Sequence, residues 1–147
     1  MPFLFDTDAI SELMRPRPAE VFIRWLSVIE PAEQFVSAVT VGELYRGAYQ
    51  SGRPEALISA IQGQVLPRVV VLSFDLPTAR VYGEISGVLL RQGKRVEDTD
   101  VQIAATAITY GLELVTGNLR HFERIPSLRL NRILADARDK AGHGKPT

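Results

Sequence analysis

The chain contains no cysteine and only two histidines, His121 and His143. Disulfides and thiolate metal sites are therefore excluded, and two histidines cannot build a zinc cage. Any metal centre must be made from oxygen ligands, the donor set of hard cations. Long apolar runs are also missing. No window approaches membrane-spanning length, and the start, Met1-Pro2-Phe3-Leu4-Phe5-Asp6, has neither a basic leader nor an extended apolar stretch. Membrane insertion and export are not indicated, and a cytoplasmic protein is expected. Nor is there a charge excess, because 17 basic residues balance 17 acidic ones. That balance argues against a general nucleic-acid coat protein and leaves local basic patches open. What is abundant is apolar: 46% of 147 residues, enough for one domain with its own core.

Periodicity places the elements. Phe3 to Phe5 reads as a strand closed by Asp6-Thr7-Asp8, and Ile10, Leu13 and Met14 then recur at helical spacing until Pro16 and Pro18. A second helix is expected from Ala19 to Ile29, then a strand at Phe35-Val36-Ser37. Thr40 and Glu43 have capping-box spacing, which predicts a helix from Thr40 through Tyr49 with Glu43 reaching back to the backbone. Pro54 opens a helix carrying Leu57, Ile58, Ile61 and Val65, and Val69 to Leu72 is β-branched strand. Helices follow at Thr78 to Gln92 and from Asp98-Thr99-Asp100, the latter with Ile103, Ala104, Ala107 and Ile108 on one face. Leu112 to Thr116 reads as a strand, Asn118 to Phe122 as a loop or short helix, and Leu128 to Leu130 as an edge strand. This alternation predicts an α/β domain, three-layer α/β/α, with a mainly parallel, roughly five-stranded sheet. The domain is expected to span residues 1–134, with a polar, flexible tail over residues 135–147.

Acidic residues recur where strands hand over to helices. Asp6 follows an apolar strand directly, so its carboxylate projects toward the crevice at the strand ends where open α/β sheets bind ligands. Helix capping is its bland alternative, and Thr7 or Asp8 could cap equally well. Asp8 reads as a cap or a solvated helix residue. Glu43 taken alone reads as a capping-box residue, and Asp100 as a carboxylate favoured by the positive end of a helix. Asp100 nevertheless shares a face with Ile103, Ala104 and Ala107, which turns it toward the sheet. Asp98, two residues earlier, is either an N-cap or a supporting member of the site. Grouped carboxylates repel one another unless a cation sits among them, so a hard-metal site performing phosphodiester chemistry is the leading idea.

Four stretches together carry a resemblance: residues 3–12 (FLFDTDAISE), 37–47 (SAVTVGELYRG), 100–107 (DVQIAATA) and 114–118 (LVTGN). In this order and spacing they resemble the PIN-domain ribonucleases, and most of all the VapC and FitB branch, toxins of bacterial toxin–antitoxin pairs. The likeness spans nearly the whole chain, and Arg15-Pro16-Arg17-Pro18 with Trp25-Leu26 adds to the FitB likeness. It implies a PIN-like fold and an endoribonuclease, a hydrolase in which Asp6, Glu43 and Asp100 bind Mg²⁺ or Mn²⁺ and carry catalysis. Thr7 and Thr116 match polar positions lining the site. A fourth acidic position of many relatives is Asn118 here, which removes a charge and bears on a second metal. The resemblance further implies a VapB/FitA-like antitoxin partner, an RNA substrate, a homodimer and a larger toxin–antitoxin assembly. In relatives an apolar groove near the early helices receives the antitoxin's C-terminal segment, which can insert a basic residue among the acids.

Arg46 and Arg120 are candidates for RNA phosphate contacts, with Arg53, Lys94, Arg95 and Arg124 as further basic residues near the motifs. His121 reads as a loop histidine within reach of phosphate, and the Phe22, Trp25, Leu26 and Ile29 stripe as core. Two other readings are kept. One is a catalytically silent PIN fold that only binds RNA or a partner, encouraged by Asn118. The other is a haloacid-dehalogenase-like phosphatase with Asp6 and Asp8 as nucleophile and acid, whose motif order does not match.

Overall fold

Phe3, Leu4 and Phe5 alternate across the first strand and so decide how the molecule is layered. In the computed structural model, which describes residues 2–140, Leu4 packs into one hydrophobic cluster while Phe3 and Phe5 belong to another. The strand, β1 (Phe3–Phe5), lies at the centre of a five-stranded parallel sheet of order β3-β2-β1-β4-β5. Its neighbours are β2 (Gln34–Ser37) and β4 (Glu113–Val115), with Phe5 opposite Val36 on one side and Val115 on the other. The edges are β3 (Val70–Leu72) and β5 (Leu130–Asn131).

Helices cover both faces. Under Phe5, Val36 and Val115 lie α1 (Thr7–Leu13), α2 (Glu20–Ser27), α3 (Ala38–Gln50) and α4 (Pro54–Ala60), the last continued by a π turn over Ile61–Val65. Under Leu4 and Leu114 lie α5 (Leu76–Arg91) and α6 (Asp98–Tyr110). Ala104, Ala105 and Ala107 are wholly buried, so α6 approaches its neighbours closely, and Gly111 in the left-handed conformation ends it. The expected three-layer fold is what forms. Trp25 packs edge-on to Phe3 at 5.0 Å and stacks near Phe22 at 6.1 Å, so it is core.

Some boundaries shift for identifiable reasons. Helix α3 starts at Ala38, because Ser37 caps it by accepting the Val39 N–H at 3.0 Å. Glu43 is therefore in the second turn and cannot close the expected capping box with Thr40. Helix α5 likewise starts earlier than Thr78, with Asp75 as its cap. The segment expected as a flexible tail from Ala135 is instead helical through Lys140: α7 (Ile133–Lys140) buries Leu134, Ala135 and Ala137, with Leu134 and Ala137 in the cluster on the α2 side of the sheet. Residues 141–147 of that expected tail lie outside the described residues.

Candidate active site

In a sheet ordered β3-β2-β1-β4-β5, successive connections leave β1 in opposite directions, and the crevice opens at the carboxyl ends of β1 and β4. Asp6 follows β1 there, and its own N–H donates to the Val115 carbonyl at 3.1 Å. Its carboxylate accepts the Ala9 N–H at 2.8 Å, so Asp6 is the N-cap of α1 after all. It is also almost fully buried, at 4% exposure. Burial pushes its pKa up to about 7; the Thr116 hydroxyl and the Ala9 N–H oppose the rise, while the negative charges of Asp8 and Asp100 add to it. Capping and a perturbed, buried acid thus coincide in one residue.

Asp100, in the first turn of α6, is raised too, first by burial and then, against the opposing charge of His121, by the fields of Glu43 and Glu97. Its Oδ2 sits 3.2 Å from His121 Nδ1, an interaction charged only when the imidazole is protonated. Glu43, released from capping, accepts the Thr7 hydroxyl at 2.5 Å, and that hydroxyl lies 3.3 Å from Thr40 Oγ1. Asp100 is therefore the link of the group: its charge acts on Asp6, and it feels the charge of Glu43. Among the described residues, however, no three acids or histidines converge as a ready-made metal cage. The donor set, all carboxylate and hydroxyl oxygen with surplus negative charge, suits a hard divalent cation and no soft one.

The remaining candidates sort by place. Thr116 is wholly buried, and its oxygen accepts the Asn118 N–H at 2.9 Å, leaving its hydrogen for Asp6. Asn118 is half-buried in the turn after β4. Asp98 is the exposed first residue of α6 and accepts the Tyr82 hydroxyl at 3.0 Å, so it is not the N-cap, which is Glu97. Asp98, Asp100 and His121 share a cavity of about 460 Å³ with Arg95, Arg120 and Arg124. On the other flank, Thr7 and Glu43 border an apolar hollow of about 310 Å³ walled by Met14, Leu44, Leu57 and Ile61. Arg46 is exposed on α3 and lines neither space.

Two residues escaped the sequence reading. Asp8, expected as a cap or solvated, makes a paired hydrogen bond with Arg138, at 2.7 and 3.1 Å, and accepts the Gly117 N–H at 3.1 Å. Arg138 also reaches Glu12 Oε1 at 2.8 Å. Burial alone would raise the Glu12 carboxyl, but Arg138 and the Ala19 N–H hold it below the usual range. The signal was present: Ile133, Leu134 and Ala137 are spaced as a helix face, and only the polar residues between them suggested a tail.

A parallel five-stranded sheet with Asp6 and Asp100 near its switch point defines a class of α/β domain, and comparison with known proteins identifies the family. The PIN domain model matches residues 3–128, and the chain belongs to the PIN-domain family. It is 36% identical over 129 residues to ribonuclease VapC2 of Haemophilus influenzae, covering 88% of this chain and 96% of that one. It is 32% identical to toxin FitB of Neisseria gonorrhoeae, covering 81% and 89%. Among solved structures, DNA-bound VapBC from Salmonella typhimurium superposes with a TM-score of 0.83 at 33% identity, covering 89% of this chain and 97% of that one. The phosphatase alternative is thereby set aside, because the whole fold is that of another family.

Proposed function

We propose that the chain is a metal-dependent endoribonuclease toxin that hydrolyses RNA phosphodiester bonds, with Asp6, Glu43 and Asp100 as its catalytic carboxylates. The observation that carries this reading is Asp6: a buried carboxyl with no ion-pair partner among the described residues, set in the fields of Asp8 and Asp100. Such a group is costly to ionise unless a cation compensates it. Asp6 and Asp100 would hold Mg²⁺ or Mn²⁺, with Glu43 binding it or orienting water. A cation bound there supplies an acidified water and offsets the charge that grows on the phosphate oxygens.

The chain's own residues orient the carboxylates from outside. The Thr116 hydroxyl and Ala9 N–H fix Asp6, Thr7 fixes Glu43, and the exposed His121 leans on Asp100. Arg120, with Arg95 and Arg124 in the same cavity, would grip RNA phosphates beside Asp100, and Arg46 would extend the track along α3. Asn118 leaves the cluster one charge poorer than in many relatives, which favours a single tightly held cation.

The apolar hollow beside Glu43 fits the C-terminal segment of a VapB/FitA-like antitoxin, which would block the site from its other flank. Likeness to FitB and to the VapBC complex supports that partner and a larger assembly. A homodimer acting in the cytoplasm completes the reading; among the described residues no helix is long and apolar enough to cross a membrane.

Purified protein freed of antitoxin is expected to cut RNA with Mn²⁺ or Mg²⁺, to stop on chelation, and to fall about a thousandfold in Asp6→Asn, several kcal/mol at about 1.4 kcal/mol per tenfold. Cleavage that survives chelation overturns the metal dependence. Folded, metal-supplied protein that leaves every RNA intact overturns the nuclease and favours the silent binding fold to which Asn118 points.

A further inference from the structure

Arg138 stands at the opposite end of the chain from Asp6, and the chemistry above leaves it unused. Its side chain is 13% exposed, and it contacts two acids of α1 at once. Nη1 and Nη2 bond the two oxygens of Asp8, while Nε and Nη2 reach Glu12 Oε1 at 3.1 and 2.8 Å. Glu12 is wholly buried, and its other oxygen accepts the Ala19 N–H at 2.9 Å. The Glu12 arm is enough to dock α7 on α1. The Asp8 arm goes further, because Asp8 Oδ2 also takes the Gly117 N–H.

We propose that Arg138 is a positioning residue of the active site, acting through Asp8 on the Thr116–Asn118 turn. The proposal rests on the nuclease reading above. Three observations converge. Both free N–H groups of the turn are taken, Gly117 by Asp8 and Asn118 by the Thr116 oxygen, so the Thr116 hydrogen is aimed at Asp6. A Cβ on Gly117 would lie 2.0 Å from Arg138 Nη1 and 2.5 Å from Asp8 Oδ2, so the guanidinium occupies the space a larger residue would need. Finally, the fork ties both oxygens of the Asp8 carboxylate, two residues from Asp6, to the guanidinium, with Oδ2 also on the Gly117 N–H, so Asp8 is spoken for by its own contacts. A planar guanidinium can do this and an ammonium cannot, since only the fork meets the two Asp8 oxygens and Glu12 Oε1 together.

The test uses the full chain with Arg138→Lys, which keeps the charge, and Arg138→Gln, which does not. Groups that orient a metal's ligands typically change activity or metal affinity by about 10–100-fold when altered. In Arg138→Lys, checked as folded by circular dichroism, kcat for RNA cleavage should fall by about that factor while KM for RNA stays within about twofold. The Gly117 amide resonance should move, and Mn²⁺ titrated without RNA should bind more weakly. Should Arg138→Gln fail to fold, Arg138→Lys carries the test alone. The proposal is overturned if kcat and Mn²⁺ affinity hold in the folded variants, or if the loss merely tracks the unfolded fraction. A wild-type protein that binds Mn²⁺ without cutting RNA would sink the nuclease reading instead, and the Mn²⁺ comparison would still decide the clamp.

Discussion

The two halves of the acidic site are built on opposite plans. Around Asp6 everything is closed: a helix cap, a buried threonine, and behind them the Asp8–Arg138–Glu12 network. Around Asp100 the wall is open. Its imidazole partner is 54% exposed, and the arginines beside it carry no ion pair among the described residues. A closed half can fix geometry only because buried polar groups are costly to leave unpaired. An open half holds its groups loosely, which suits contact with a large, charged, incoming chain. Under the proposed function, the difference would separate residues that hold the site in shape from residues that meet RNA.

The largest effect expected from breaking this contrast is thermodynamic. Asp6 binds a proton in the folded state up to about pH 7 but only up to its ordinary 3.8 when unfolded. Between those values the folded chain holds the extra proton, so metal-free stability falls as pH rises through the window and levels off above it. Asp6→Asn removes that loss and keeps the cap. It should stabilise the metal-free protein above pH 7 by up to roughly 4 kcal/mol, at 1.36 kcal/mol per unit, with the gain vanishing near pH 4. Asp100→Asn should gain much less. Equal gains in urea titrations at pH 8 would erase the distinction between the halves.

Gly117→Ala strikes the closed half sterically. The added methyl meets the guanidinium and Asp8 head-on, and overpacking of this kind costs about 1–3 kcal/mol. The same exchange at Gly42 or Gly47 of α3, where a Cβ meets nothing within 4 Å, should be neutral or stabilising. Thermal melts of the three variants would show whether the turn is as tightly held as its contacts indicate.

On the open side, Arg120→Gln should leave stability unchanged and raise KM for RNA a few-fold. It should also shallow the salt dependence by about 0.7 in log K per log salt, one phosphate contact on a single strand. An unchanged slope would remove Arg120 from the RNA track. The smallest change is at Asn118: restoring a carboxylate with Asn118→Asp should tighten the weaker of any two Mn²⁺ events by less than about tenfold. Identical calorimetric titrations would put Asn118 beyond the metal's reach.

Much of this was legible in the sequence because the fold obeys local rules. Phe3 to Phe5 ends in Asp6, Phe35 to Ser37 feeds α3, and Asp100 shares a face with buried Ile103 and Ala104, so strand ends and carboxylates could be aligned without coordinates. Glu43 was harder. Thr40 offers a perfect capping spacing, and only the earlier cap at Ser37, set by where β2 stops, releases Glu43 to Thr7. His121 on Asp100 and Arg138 on Asp8 were out of reach, because no local period links residues that the sheet brings together from remote positions. A polar stretch such as residues 135–140 reads as tail until its one buried face is seen packed.

The Asp8–Arg138 pair joins residues 130 positions apart. Chains are made from the N-terminus at roughly 5–20 residues per second, so these partners are synthesised roughly 6–26 seconds apart. Until α7 exists, Asp8 lacks the one ion-pair partner it has among the described residues, and the carboxylate that anchors the Gly117 turn is itself unheld. The central strand waits too, since β4, its neighbour on the site side, is completed only at Val115. The clamp therefore forms only after residues 133–140 have been made, and a product truncated before them would carry Asp6, Glu43 and Asp100 without the Arg138 contacts to Asp8 and Glu12.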